Sequence, residues 1–87
     1  MVDTLKQDPM TFDQDLDVRG PNCPLPLLRL KQFLPKVEVG QVIRVSATDP
    51  AAHLDIGVFI DRSPHDMLHY RQVEGVQQFY IQKNAES

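Results

Sequence analysis

The chain of 87 residues has one cysteine, no tryptophan, four glycines and an aromatic share of only 7%. A lone Cys23 excludes an internal disulfide, a CxxC redox pair and a multi-thiolate zinc site, so whatever it does it does alone or with another molecule. No stretch gathers enough Lys or Arg to form a polybasic strip, and twelve acidic residues against nine basic ones leave a net charge of −3. Direct, salt-driven nucleic-acid binding is therefore not expected. No apolar run approaches the length of a membrane span, and residues 1–10 carry neither a signal nor a transit pattern. These absences point to a cytoplasmic protein without membrane attachment. At this length only about 60–65% of the unfolded surface is buried on folding, which leaves one thin core and excludes a multidomain enzyme.

What is present has a clear order. Residues 1–11 mix Asp, Lys, Gln and Pro without a period and read as a flexible tail, followed by a domain over 12–83 and a short C-terminal tail over 84–87. From Phe12 to Val18, Phe12, Leu16 and Val18 share one parity while Asp13, Asp15 and Asp17 take the other, as in a half-buried strand. Arg19-Gly20-Pro21-Asn22 breaks that strand. A helix is expected from Cys23 or Pro24, because Pro24 and Pro26 fall where missing amide donors do no harm in a first turn. Leu27, Leu30 and Leu34 form its inward stripe, and Pro35 and Gly40 end it.

Gln41 to Thr48 alternates Ile43, Val45 and Ala47 against Arg44 and Ser46, which predicts a second half-buried strand. Asp49 as N-cap and Pro50 as first helical residue open a second helix with Ala52, Ile56, Phe59 and Ile60 on one face. Ser63-Pro64-His65 breaks it, and Met67–Val73, Glu74-Gly75 and Val76–Gln82 read as a terminal hairpin. The predicted order is β-α-β-α-β-β. This is an α+β two-layer sandwich with both helices on one face of a four-stranded mixed sheet and the other face open to solvent or a partner.

Few residues can carry chemistry, and Cys23 leads them. An unperturbed thiol, with a pKa of about 8.5, is only slightly ionised at neutral pH. At a helix entrance the unpaired amides favour the anion, and Arg19 in the same turn could add positive charge. The outer sulfur of a Cys23 persulfide is more acidic than a thiol, and the same helix end would hold it as an anion. The competing reading makes Cys23 a small apolar core residue. The three histidines, His53, His65 and His69, fall on a helix, a loop and a strand and suggest no zinc site. His65 reads as a turn residue, with a general base for Cys23 as the alternative. Asp13, Asp15 and Asp17 lie too far apart to share a proton and read as a solvated face. No metal and no cofactor is expected. Leu54 and Val58, on the far side of helix two, form with Leu25 a candidate exposed docking patch.

These residues carry a resemblance. Leu16-Asp17-Val18-Arg19-Gly20, Cys23-Pro24-Leu25-Pro26, Thr48-Asp49-Pro50, Asp55-Ile56 and His65 with Leu68 resemble the TusA/SirA family of sulfur-carrier proteins over about Asp15 to Lys83. The resemblance implies a two-layer α/β sandwich, a sulfurtransferase-type carrier, and Cys23 as the persulfide-bearing residue. It also implies a cysteine desulfurase or other sulfane-sulfur donor on one side and a downstream sulfur-acceptor protein on the other. Such relays serve tRNA thiolation, cofactor assembly or sulfur oxidation. Arg19, Pro24, Pro26 and Lys31 are the candidates for contact with substrate or partner. Lys31 matches a frequent basic position of the family, yet about 12 Å of helix rise separates it from Cys23, so its stem is read as covering apolar surface. The chain departs from the family pattern at Leu25, where the residue is often acidic, at Leu54 in place of Arg and at Pro64 in place of Gly. Helix two also lacks a second cysteine. The alternative function is a non-catalytic interaction or regulatory module of the same fold.

Overall fold

The computed structural model describes residues 11–20 and 25–85. Its elements are β1 (Gln14–Val18), α1 (Leu25–Phe33), a 3₁₀ turn (Leu34–Lys36), β2 (Val42–Ala47), α2 (Ala52–Asp61), β3 (Asp66–Val73) and β4 (Val76–Gln82). The strands form one sheet in the order β1-β2-β4-β3, with β1 and β2 parallel and the other two pairings antiparallel. Two helices pack on one face of this mixed sheet, as the periodicities predict.

Alternation along the strands decides which residues meet the helices. Val18 and Leu16 of β1, Ile43, Val45 and Ala47 of β2, and Phe79 and Ile81 of β4 share the inner face through the pairings Leu16–Val45, Val18–Ala47, Val45–Phe79 and Ile43–Ile81. They close on Leu30 and Leu34 from the first helical segment and on Ala52, Ile56 and Ile60 of α2, all nearly free of solvent contact except the partly buried Leu16. Leu30 and Ile56 are each 0% exposed, and truncating a side chain of that kind costs about 2–5 kcal/mol.

Pro35 stops the α-helical hydrogen bonding of α1, and the chain tightens into the 3₁₀ turn, with the Val37 amide donating to Leu34 O at 3.0 Å. Before α2, Asp49 Oδ1 accepts from the Ala51 amide at 3.2 Å, and the Ala52 amide donates to Asp49 O at 3.0 Å. Asp49 thus closes the turn that leads into α2 and is not its N-cap as expected: that place is taken by Ala51, without a side-chain cap, and the helix starts at Ala52, two residues after the expected start at Pro50. The β3–β4 hairpin turns through Glu74 (φ 49°) and Gly75 (φ 82°), the pair of positive dihedrals that matches the twist of the flanking strands.

Two further expectations are corrected. Phe12 does not share the inner face with Leu16 and Val18. Asp13 bends the chain before β1, its amide donating to Val42 O at 2.8 Å while its carboxylate accepts from the Val42 amide at 2.9 Å. Phe12 consequently turns to the outer face, its ring centroid 6.3 Å from that of Tyr80 and 4.2 Å beneath the Arg44 guanidinium. The outer face is therefore partly covered: Tyr80 is 1% exposed there, with His69 edge-on at 6.0 Å.

Candidate functional site

Cys23 and Pro24, the two central residues of the predicted site, lie outside the described residues, as does the predicted helix start. Their flanks are described. Arg19 and Gly20 leave the C-terminal end of β1, and the Gly20 amide donates to Thr48 Oγ1 at 2.9 Å, which ties the strand exit to the end of the parallel neighbour β2. Gly20 has φ 99°, a conformation that a side chain disfavours. Leu25 and Pro26 begin the described part of α1.

Arg19 is engaged rather than free. Its Nε and Nη2 donate to the two carboxylate oxygens of Asp17, each at 2.9 Å, and its amide donates to Asp17 Oδ1 at 3.0 Å. These bonds hold the Asp17 carboxyl down at about 2 and push the guanidinium's own pKa up. Both side chains are more than half exposed, so the field that Arg19 exerts on its surroundings is that of a solvated ion pair. Pro26 is buried and packs at the start of α1.

Lys31 behaves as its position predicts. Its ammonium sits 5.3 Å from the centroid of the Phe59 ring, a contact of about 0.5–1 kcal/mol at an exposed site. It forms one rim of a groove of about 540 Å³ between α1 and α2. Leu27 from α1 and Leu54, Val58 and Phe59 from α2 supply the apolar lining, with Lys31, Asp55 and Arg62 as its charged groups. Leu54 is 62% exposed and Val58 46%. The exposed patch foreseen from Leu54 and Val58 is thus real, but Leu27, and not Leu25, faces it from α1.

The histidines are dispersed. His53 Nδ1 lies 3.1 Å from Pro50 O at the start of α2, and His69 packs on Tyr80 on the outer face. His65 precedes Asp66, which pairs with Gln82 and through it with Val42, at the end of β2 opposite Thr48. Six residue steps of strand, about 20 Å, separate that end from the Gly20–Thr48 tie. The general-base alternative for His65 has no support in this placement, whereas the turn reading does: its amide donates to Ser63 Oγ at 3.1 Å. Among the described residues no group of three or more His, Cys, Asp or Glu could hold a metal ion. The aspartates of β1 are not a bare solvated face either. Asp15 accepts two hydrogen bonds from Arg44, each at 3.0 Å, and Asp17 takes Arg19.

Sequence reasoning missed Lys83 and Gln77. Lys83 is 0% exposed and donates from Nζ to Leu34 O at 2.8 Å and Val37 O at 2.7 Å. Gln77 is buried and donates to Asp49 O at 2.6 Å, holding the entrance of α2 against β4. Both continue the inner parity of Phe79 and Ile81, and that alternation was the available signal.

Comparison with known proteins agrees with this arrangement. The Sulfur carrier protein TusA of Allochromatium vinosum is 40% identical over 73 residues, covering 84% of this chain and 96% of the relative. The Putative sulfur carrier protein YrkI of Bacillus subtilis is 35% identical over 85% of this chain and 99% of its own length. A SirA-like protein of known structure from Desulfitobacterium hafniense superposes with a TM-score of 0.72, covering 84% of this chain and all of that one, and at 21% identity it attests the fold alone. Residues 14–83 match the family described as Sulfurtransferase TusA, and with the relatives at 35–40% identity this establishes that the chain belongs to the TusA family.

Proposed function

We propose that the protein is a sulfur carrier that accepts sulfane sulfur as a persulfide on Cys23 and relays it to an acceptor protein. The observation that carries this reading is the position of the only cysteine of a TusA-family chain, between the anchored exit of β1 at Gly20 and the start of α1. In the loading step the Cys23 thiolate attacks the outer sulfur of a donor persulfide, forming a new S–S bond while the donor's inner sulfur leaves as a thiolate. In the unloading step an acceptor thiolate attacks the outer sulfur of the Cys23 persulfide and the Cys23 thiolate leaves. Neither step needs an oxidant or reductant, and no group other than the sulfur itself is transferred. The first turn of α1 supplies the positive field for the sulfur anion, to which Arg19 adds only the screened field of its ion pair with Asp17. The groove carrying Lys31 supplies the docking surface for a donor or acceptor protein, and the cytoplasm is where such a relay operates.

A second reading, an interaction module in which Cys23 carries no sulfur, draws its support from the same groove. Intact mass of the full chain after incubation with a cysteine desulfurase and cysteine separates the two. The carrier gains about 32 Da per sulfur, reversible by reductant, and Cys23→Ser gains nothing while keeping its fold and its affinity for the donor. A wild-type chain that alkylates at Cys23 but takes up no sulfur from any sulfane donor would leave the module reading standing.

A further inference from the structure

The last described residues are not a loose end. Lys83 is held on all sides: its amide donates to Gln41 O at 3.0 Å, its carbonyl accepts from the Gly40 amide, and its ammonium caps the Leu34 and Val37 carbonyls at the close of the 3₁₀ turn. Asn84, next in the chain, grips the α2–β3 loop. Its amide donates to His65 Nδ1 at 3.1 Å, and its side-chain Nδ2 donates to Pro64 O at 3.0 Å and Asp66 Oδ2 at 2.8 Å. Two adjacent residues thus fasten both helical segments to the end of β4.

One of these bonds fixes a protonation state. Because Nδ1 of His65 accepts from an amide, the proton of the neutral ring resides on Nε2, which is buried and has no hydrogen-bond partner among the described residues. A second proton would have to enter at Nδ1, turning an acceptor into a donor aimed at the Asn84 N–H. His65 is only 3% exposed, so the new charge would also be poorly hydrated. The charged groups around the ring are Lys83 beyond β4, which opposes protonation, Asp66 on β3, which favours it, and Asp61 of α2, which lines the same cleft as His65. Asp66 already accepts from Asn84.

We propose that His65, Asn84 and Lys83 form a proton-sensitive latch, closed while the His65 ring is neutral and opened by its protonation, that releases the α2–β3 loop from the end of β4. Burial and the Lys83 charge hold the His65 pKa below its ordinary 6.5, so the latch stays shut at neutral pH and opens only below pH 6.5. Ser63, whose hydroxyl receives the His65 amide, also lines the groove between the helices, so an open latch is felt there too. This inference does not depend on sulfur being carried.

The test is an NMR titration of the full wild-type chain from pH 7.5 to 4.5, following ring nitrogens and backbone amides. The expected result is a neutral His65 in the Nε2–H form that titrates below 6.5, with the amides of Asn84, Asp66 and Ser63 shifting on the same curve and the Asn84 amide exchanging about tenfold faster, corrected for intrinsic rates, once the ring is charged. His53→Gln with His69→Gln leaves that transition in place, and His65→Gln, which cannot take a second proton, removes it. If His65→Gln does not fold, the double variant carries the test alone. An Nδ1–H form of neutral His65, or a His65 titration that leaves the Asn84 amide unmoved, would overturn the proposal.

Discussion

Arg19 illustrates how a single residue's role changes once its partner is known. In the sequence it is a cation close to Cys23; in the fold its guanidinium is spent on Asp17, whose carboxyl is held at about 2 against an ordinary 3.8. Because the folded value is the lower one, this carboxylate contributes its stability in full above pH 3.8 and loses it as the pH falls toward 2. Asp17→Asn removes the counter-charge and leaves Arg19 free to act on the neighbouring loop. We expect the pH profile of Cys23 alkylation in that variant to move to lower pH by some tenths of a unit, the scale of one exposed charge. An unchanged profile would show that Arg19 does not reach the sulfur. Pro26 and Lys31 were equally visible in the sequence as residues, but their burial and exposure were set by the helix that carries them.

At the scale of elements, local chemistry and long-range packing agree almost everywhere, and the hairpin shows where they do not. Glu74 adopts φ 49°, a region in which asparagine is far more comfortable than glutamate, ahead of a glycine that suits its own positive φ. Glu74→Asn should therefore stabilise the protein by about 0.5–1 kcal/mol, read as a raised denaturant midpoint at unchanged slope. Strand and helix positions were legible because period 2 and period 3.6 distinguish the faces of β2 and α1 without reference to anything else. Phe12 defeated the same reasoning: the bend at Asp13 interrupts the parity on which its assignment to the core rested. Lys83 defeated it in the opposite way, since it obeys the inner parity of β4 but its charge marks it as a surface residue until two carbonyls are found waiting for it.

At the scale of the whole molecule, the groove between the helices is the feature with most to say about partners. No alternation within α1 or α2 reveals it, because it exists only where Leu27 and Lys31 of one helix face Leu54, Val58 and Phe59 of the other. Leu54→Asp should leave stability within about 0.5 kcal/mol of wild type, since the side chain is mostly in solvent. The rate of sulfur loading from a donor protein should fall about tenfold or more, while loading from a small sulfane donor is unchanged. Equal loss with both donors would point to damage at Cys23 and not to docking. The described residues include no helix long and apolar enough to cross a membrane.

The sequence by itself determined the element order, the inner faces of β1, β2 and α1, the hairpin turn and the isolation of Cys23, because each depends on neighbours a few residues away or on a simple count. Only the tertiary structure decided that Arg19 is paired, that Tyr80 is buried beneath Phe12 on the outer face, that Leu27 and not Leu25 joins Leu54, and that His65 is tied to Asn84. Each of these is a meeting of residues whose separation along the chain carries no information about their distance in space, and the sheet order β1-β2-β4-β3, with α1 beside α2, is what brings them together.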